Sequence, residues 1–177
     1  MPEHPGFDLR PIDGRSVVRL RVRPDDAEAV REALHLPGAL SWQKGDPVAC
    51  WLGPDQWLLT SDNQPGADII DHIDRTLPGQ LYAATEMSSG YACFELSGPA
   101  ARTVLAMSCG IDMHPGAFTT GQCVRTQFAN LILLIVCVGN DRFILYADRS
   151  QARYLADWIA NAGDDPITYM QNDGELS

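Results

Sequence analysis

Residues 50–73, CWLGPDQWLLTSDNQPGADIIDHI, and residues 136–159, VCVGNDRFILYADRSQARYLADWI, carry one pattern written twice. A shift of 86 positions, with no gap, lays Gly53 on Gly139, Asp55 on Asp141, Leu59 on Leu145 and Asp62 on Asp148. Further along, Asp71 meets Asp157 and Ile73 meets Ile159. Apolar positions correspond as well: Trp57 with Phe143, Leu58 with Ile144, and Ile69 with Leu155. In each copy a turn bearing Gly and Asp joins two short strand-like runs, and a helix with one apolar stripe follows. Self-similarity at a fixed offset marks a duplicated unit.

The flanking segments extend both copies. Residues 16–23 alternate Val18, Leu20 and Val22 with Arg19, Arg21 and Arg23, the period of a half-buried strand. Asp25 with Glu28 gives a capping-box signal, and Ala29, Val30, Ala33 and Leu34 give the next helix its stripe. After the 48–52 and 56–61 hairpin, Pro65 suits the first turn of a helix whose buried face is Ile69, Ile70, Ile73 and Leu77. A strand over 81–87 closes the first half. The second half repeats the order: a strand over 91–96, a helix begun by Ser97-Gly98-Pro99, strands over 124–129, 131–138 and 143–147, and a helix from Ser150. A weaker match at a shift of 74 places Leu20, Val22 and Val30 on Phe94, Leu96 and Val104. The expected fold is α+β: two fused, internally repeated β-α-β-β-α halves on the ferredoxin-like, split-βαβ plan. The expected division is an N-terminal arm over 1–15, halves over 16–88 and 89–162, and an acidic C-terminal tail over 163–177. Each half has little apolar surface of its own, so the halves are expected to form one globular unit.

Composition limits the partners. Thirteen basic against twenty-three acidic residues give a net charge of -10, which repels phosphate backbones and argues against nucleic-acid binding. The longest apolar run, 131–138, is far below the roughly 20 residues of a membrane span. The first fifteen residues carry prolines and acids with no apolar segment, unlike a signal peptide, so the expected location is the cytoplasm. The cysteines (Cys50, Cys93, Cys109, Cys123, Cys137) are odd in number and show no C-x-x-C spacing. The histidines are scattered, and no metal site is indicated.

No nucleophile or phosphate-binding motif is present. Cys123 follows Gly121-Gln122, but alternation through Val124 and Thr126 makes it a strand residue. Asp62 and Asp148, each just before a helix, read as caps. Asp55 and Asp141 read as turn residues, and Asp71 and Asp157 as solvent-facing helix positions. Glu86, near the junction of the halves, is the acid to inspect for a ligand. Trp42, after a break rich in Pro and Gly, and Tyr169, in the acidic tail, read as aromatic anchors for a partner.

Several short motifs, in order, resemble the gamma subunit family of heterotetrameric sarcosine oxidase. They are Met87-Ser88-Ser89-Gly90-Tyr91-Ala92, Leu96-Ser97-Gly98-Pro99-Ala100-Ala101 with Val104-Leu105-Ala106, and Cys109-Gly110-Ile111-Asp112. Next come residues 118–126, FTTGQCVRT, and Asp148-Arg149-Ser150; Leu52-Gly53-Pro54-Asp55-Gln56-Trp57-Leu58-Leu59 matches in the first half. The resemblance runs over about 17–159. Family members often carry an acid where this chain has Ser89, so no role tied to that acid carries over.

The family is similar to the folate-binding module of the glycine-cleavage aminomethyltransferase. The resemblance implies a non-catalytic, structural subunit of a complex with alpha, beta and delta partners, which demethylates sarcosine to glycine and passes the one-carbon unit to tetrahydrofolate. No cofactor is expected on this chain; FAD, FMN, NAD and tetrahydrofolate are implied for the partner subunits. Arg125, Arg149, Trp42 and Tyr169 are the expected interface residues. An alternative is a stand-alone folate-binding or aminomethyltransferase-like protein, for which Glu86, Arg125 and Arg149 are the candidates. An iron–sulfur assembly factor of the same fold would need Lys-Gly-Cys-Tyr-x-Gly-Gln-Glu; the stretch 115–123, PGAFTTGQC, lacks its lysine, cysteine and final glutamate.

Overall fold

The computed structural model describes residues 6–163. The chain divides into two compact units. One holds Asp13–Tyr91 with Gly121–Val124; the other holds the chain through Ile12, Ala92–Thr120 and the chain from Arg125 onward. Strand β1 (Asp8–Ile12) opens the chain and belongs to the second unit.

The first unit runs β2 (Ser16–Val22), α1 (Ala27–Ala33), β3 (Trp42–Gln43), β4 (Val48–Gly53), β5 (Gln56–Ser61), α2 (Gly66–Thr76) and β6 (Tyr82–Glu86). Its sheet order is β3-β4-β5-β2-β6, every pairing antiparallel. The core is made by Val18, Leu20 and Val22 of β2, Trp57 and Leu59 of β5, and Ile69, Ile73 and Leu77 along α2, all at most 5% exposed. The helical residues recur at every fourth position, so they line one stripe and press it on the sheet. Each fully buried side chain of this kind contributes roughly 1.5–3 kcal/mol. Trp57 also carries a polar atom inward, and its Nε1 donates to the Pro37 carbonyl at 3.0 Å.

The second unit runs β7 (Tyr91–Ser97), α3 (Ala101–Ala106), β8 (Cys123–Phe128), β9 (Leu131–Gly139), β10 (Arg142–Asp148) and α4 (Ala152–Gly163), with the opening residues Tyr91 of β7 and Cys123 and Val124 of β8 counted in the first unit. Its sheet order is β1-β7-β10-β9-β8. At the sequence shift of 86, β5 begins where β10 begins and α2 where α4 begins. The duplication reaches the backbone detail. In the first hairpin Trp51 pairs with Trp57 and Gly53 with Gln56, leaving Leu52 as an extra residue. In the second, Cys137 pairs with Phe143 and Gly139 with Arg142, leaving Val138. The same bulge at the same place explains why Gly53 and Gly139 share an offset. Phe143, the counterpart of Trp57, is fully buried and stacks on Phe118, centroids 6.3 Å apart. Phe128 meets Trp158 of α4 edge-on at 4.7 Å.

Two strands went unread in the sequence. Residues 8–12, placed there in a featureless arm, form β1 and pair antiparallel with β7 from Asp8↔Ser97 to Ile12↔Cys93. An edge strand tolerates Pro11 because one row of its amides faces away from the sheet. Within its sheet, β1 holds the position that β6 holds in the other, so the fifth strand of the second sheet comes from the start of the chain. Gly98 makes this possible: at φ +117°, a Cβ there would sit 2.8 Å from the Gly6 oxygen and the Phe7 Cα. The two-residue β3 is too short for any periodicity. The capping box at Asp25 does not form either. Pro24–Asp26 is a 3-10 turn with no side-chain cap, and Glu28 turns along the helix to bind Arg31.

Candidate functional site

Glu86 is the last residue of β6, and it is exposed. Its Oε1 accepts the Ser88 amide at 3.1 Å and also the Ser88 hydroxyl. Ser88 Oγ in turn accepts the Val17 amide at 2.9 Å, tying the turn after β6 to the start of β2. The stem of Glu86 lies against Gly66, where an added Cβ would be 2.6 Å from the Glu86 Cγ. Glycine at the first position of α2 therefore gives the carboxylate room to fold back on its turn. Among the described residues this acid makes no ion pair. It acts as a turn clamp.

Arg125 lies exposed in β8, and Arg149 lies exposed in the 3-10 turn Arg149–Gln151 that leads into α4. Neither makes a side-chain hydrogen bond or ion pair among the described residues. Both belong to the second unit, whereas Glu86 belongs to the first. Trp42 is half-buried in β3, paired with Cys50, and its amide donates to the Gly121 carbonyl at 3.1 Å. Tyr169 and the tail lie outside the described residues.

The paired aspartates diverge. Asp148 caps the turn before α4: its Oδ1 accepts the Ser150 amide at 2.9 Å and hydroxyl at 2.5 Å, bonds that hold the carboxyl below the usual range. Asp62 does not cap. It takes a bidentate pair from Arg15, both contacts 2.7 Å, which lowers its pKa. Ser61 closes the turn ahead of α2, its Oγ accepting the amides of Asn63 (3.0 Å) and Gln64 (2.8 Å), and α2 itself has no side-chain cap. The reason is local: Arg15 precedes β2, whose partner strand ends at Ser61, so the guanidinium is already beside Asp62.

Cys123 is fully buried; its Sγ donates to the Ser41 carbonyl at 3.1 Å and approaches the Trp51 carbonyl at 3.5 Å. Hydrogen bonding by the neighbouring Cys50 side chain pulls its pKa down, but a reactive thiolate also needs solvent access. It is a strand residue. No cluster of three or more metal-ligating side chains occurs among the described residues, and no described helix is long and apolar enough to cross a membrane.

The sequence reading missed Arg102, a charged side chain 8% exposed on α3. Its Nη1 donates to the carbonyls of Met113 (2.7 Å) and Phe118 (2.9 Å), and its Nε to that of Asn140 (2.6 Å). The guanidinium lies 5.1 Å from the Phe143 ring centroid and 3.5 Å from the Asp141 carboxylate. One planar fork thus fastens a helix, the 113–118 loop and the β9–β10 turn. An arginine between Ala101 and Val104 on an apolar stripe was the available signal. Its counterpart at the shift of 74 is the exposed Glu28, so the repeat gave no help.

The family model described as "Sarcosine oxidase, gamma subunit family" matches residues 21–165. A sarcosine oxidase subunit gamma from Corynebacterium sp. (strain U-96) is 30% identical over 164 residues, covering 87% of this chain and 78% of its own. One from Arthrobacter sp is 28% identical over 161 residues, with the same shares. Among solved structures, heterotetrameric sarcosine oxidase from Corynebacterium sp. U-96, in complex with pyrrole 2-carboxylate, matches with a TM-score of 0.79 at 26% identity. The match covers 92% of this chain and 86% of that one. Glycine cleavage system aminomethyltransferase T from Bartonella henselae matches with a TM-score of 0.62 at 17% identity, over 87% of this chain and 45% of that one. That likeness is one of fold, and it is the fold expected from the repeated halves. The chain belongs to the sarcosine oxidase gamma subunit family.

Proposed function

We propose that this chain is a non-catalytic assembly subunit of a sarcosine oxidase-type heterotetramer, beside alpha, beta and delta partners in the cytoplasm. The observation that carries the reading is the match to gamma subunits along 87% of the chain, joined to a TM-score of 0.79 against a heterotetrameric oxidase. The groups that would do chemistry are committed to structure: Glu86 holds its turn, Cys123 binds backbone carbonyls, and Arg102 ties three segments together. On this reading the complex demethylates sarcosine to glycine. FAD, FMN, NAD and tetrahydrofolate serve it from the partner subunits.

The interface on this chain includes Arg125 and Arg149, cations presented to solvent on a chain of net charge -10. Charges so placed set partner choice and association rate more than affinity. Trp42 and Tyr169 are further contact positions in the same reading. Affinity purification of the chain from its own cell extract tests the proposal. Three other subunits and flavin absorbance should accompany it, and assembly by the double variant Arg125→Ala, Arg149→Ala should be slower and more sensitive to salt. Unchanged assembly by that variant removes the two arginines from the interface. Recovery of the chain alone, binding tetrahydrofolate, favours the stand-alone folate protein instead.

A further inference from the structure

The first unit contains a cavity of about 120 Å³ between the end of α1, the β3–β4 loop and α2. Its floor is apolar: Leu36, Ala49, Leu59 and Ile69 are all buried core residues. Its rim is basic. Lys44, the sole lysine of the chain, stands there with His35 and His72, two of the four histidines. No acidic side chain lines the cavity, although acids outnumber bases twenty-three to thirteen over the chain. The acid in the loop, Asp46, turns its carboxylate onto Ser61 and Asn63.

His35 is held in a conformation that its side chain makes costly. Helix α1 ends with the Leu36 amide donating to the Arg31 carbonyl (2.8 Å) and the His35 amide to that of Glu32 (3.2 Å). This paired closure puts His35 at φ +51°, the left-handed position that glycine usually fills. The turn needs no imidazole. The left-handed closure of the helix places His35 at the rim of the cavity that it lines.

We propose that this cavity binds a small carboxylate with a short apolar body, the carbon portion on the Leu36–Ile69 floor and the carboxylate at the Lys44, His35 and His72 rim. A dry apolar cavity of about 150 Å³ accommodates benzene, so the volume here suits a body of about four or five carbons. A fully ionic ligand such as phosphate would leave the floor unfilled, and a hydrocarbon would leave three donors unused. The site goes beyond the assembly role and does not depend on it.

Calorimetric titration of the full-length chain with isovalerate, and with isovaleramide as its uncharged match, tests the proposal. Isovalerate should saturate one site, and the amide should bind at least tenfold more weakly. Lys44→Met, which keeps the aliphatic stem, should weaken isovalerate at least fivefold, and the exposed change His72→Gln should weaken it severalfold. His35→Gly is the sharpest variant: it should raise the melting temperature and weaken isovalerate in the same protein. A purely structural His35 would give the first effect without the second. The proposal is overturned if isovalerate fails to saturate, if acid and amide bind alike, or if all three variants bind isovalerate as the parent does.

Discussion

Replacing Arg102 by methionine removes the guanidinium but keeps most of the stem, so the energetic effect isolates the polar fork. Three carbonyls lose charged donors at 2.6–2.9 Å, those of Asn140, Met113 and Phe118. Each hydrogen bond to a charged group is worth roughly 1.5–3 kcal/mol net, and a buried acceptor left alone costs about 1–3 kcal/mol. These terms overlap. The Asn140 carbonyl sits in a turn and can recover water, whereas the two carbonyls of the 113–118 loop face a side chain that is almost fully enclosed. Two enclosed carbonyls left without a donor, at about 1–3 kcal/mol each, together with the lost bond to the turn, set an expected loss of about 3–5 kcal/mol.

Urea unfolding of the purified chain at pH 7, followed by tryptophan fluorescence and circular dichroism, measures it. With a slope of about 2 kcal/mol/M the midpoint falls by about 1.5–2.5 M at unchanged slope. Arg102→Lys keeps the charge but cannot reach three carbonyls in one plane, and should lose about half as much. A methionine variant whose midpoint moves by less than about 0.5 M would refute the idea that this fork fastens the unit.

Gly98→Ala should cost about 2–4 kcal/mol, because the strained φ and a 2.8 Å backbone approach at Gly6 and Phe7 cannot both be relieved; thermal unfolding and amide exchange along β1 report it. His35→Gly should stabilise by about 1 kcal/mol in thermal unfolding, since glycine fits the left-handed closure of α1. Asp62→Asn should cost about 1 kcal/mol at pH 7, the upper end for a partly exposed, bidentate pair. The folded-state pKa of Asp62 is depressed by Arg15, so that contribution is complete above the unfolded value near 3.9. It is lost as pH falls through the lower folded value, so the difference between parent and variant should narrow steadily as the pH drops below the unfolded value. Among the five thiols, only the half-buried Cys109 should react with a bulky disulfide reagent in the native chain, and slowly, because burial raises its pKa; all five should react in denaturant.

What could be read in the sequence follows how much of each feature is local. The hairpin and helix of each copy carry turn, strand period and apolar stripe within 24 residues, whereas the bulge they share at Leu52 and Val138 shows only in the pairing register. Strand β1 was invisible because its pairing partner is some 85 residues away at β7 and its own five residues include Asp8, Arg10 and Pro11. The Asp25–Glu28 capping signal failed because Arg31 competes for Glu28 one turn on. Asp62 and Asp148 occupy matched positions, yet Arg15 captures only the first. Tertiary neighbours, absent from any window, decide such cases. For Glu86 the residue was legible and its partner was not: Ser88, two residues on, takes the carboxylate. The basic rim of the cavity left one faint signal, the single lysine of the chain at position 44, but its grouping with His35 and His72 comes only from folding.

Native mass spectrometry of the material that purifies with the tagged chain tests the central claim most directly. The account predicts a flavin-bearing complex of four different subunits that contains one copy of this 19.4 kDa chain. A lone chain, or an oligomer of this chain only, in flavin-free fractions from cells growing on sarcosine would contradict it.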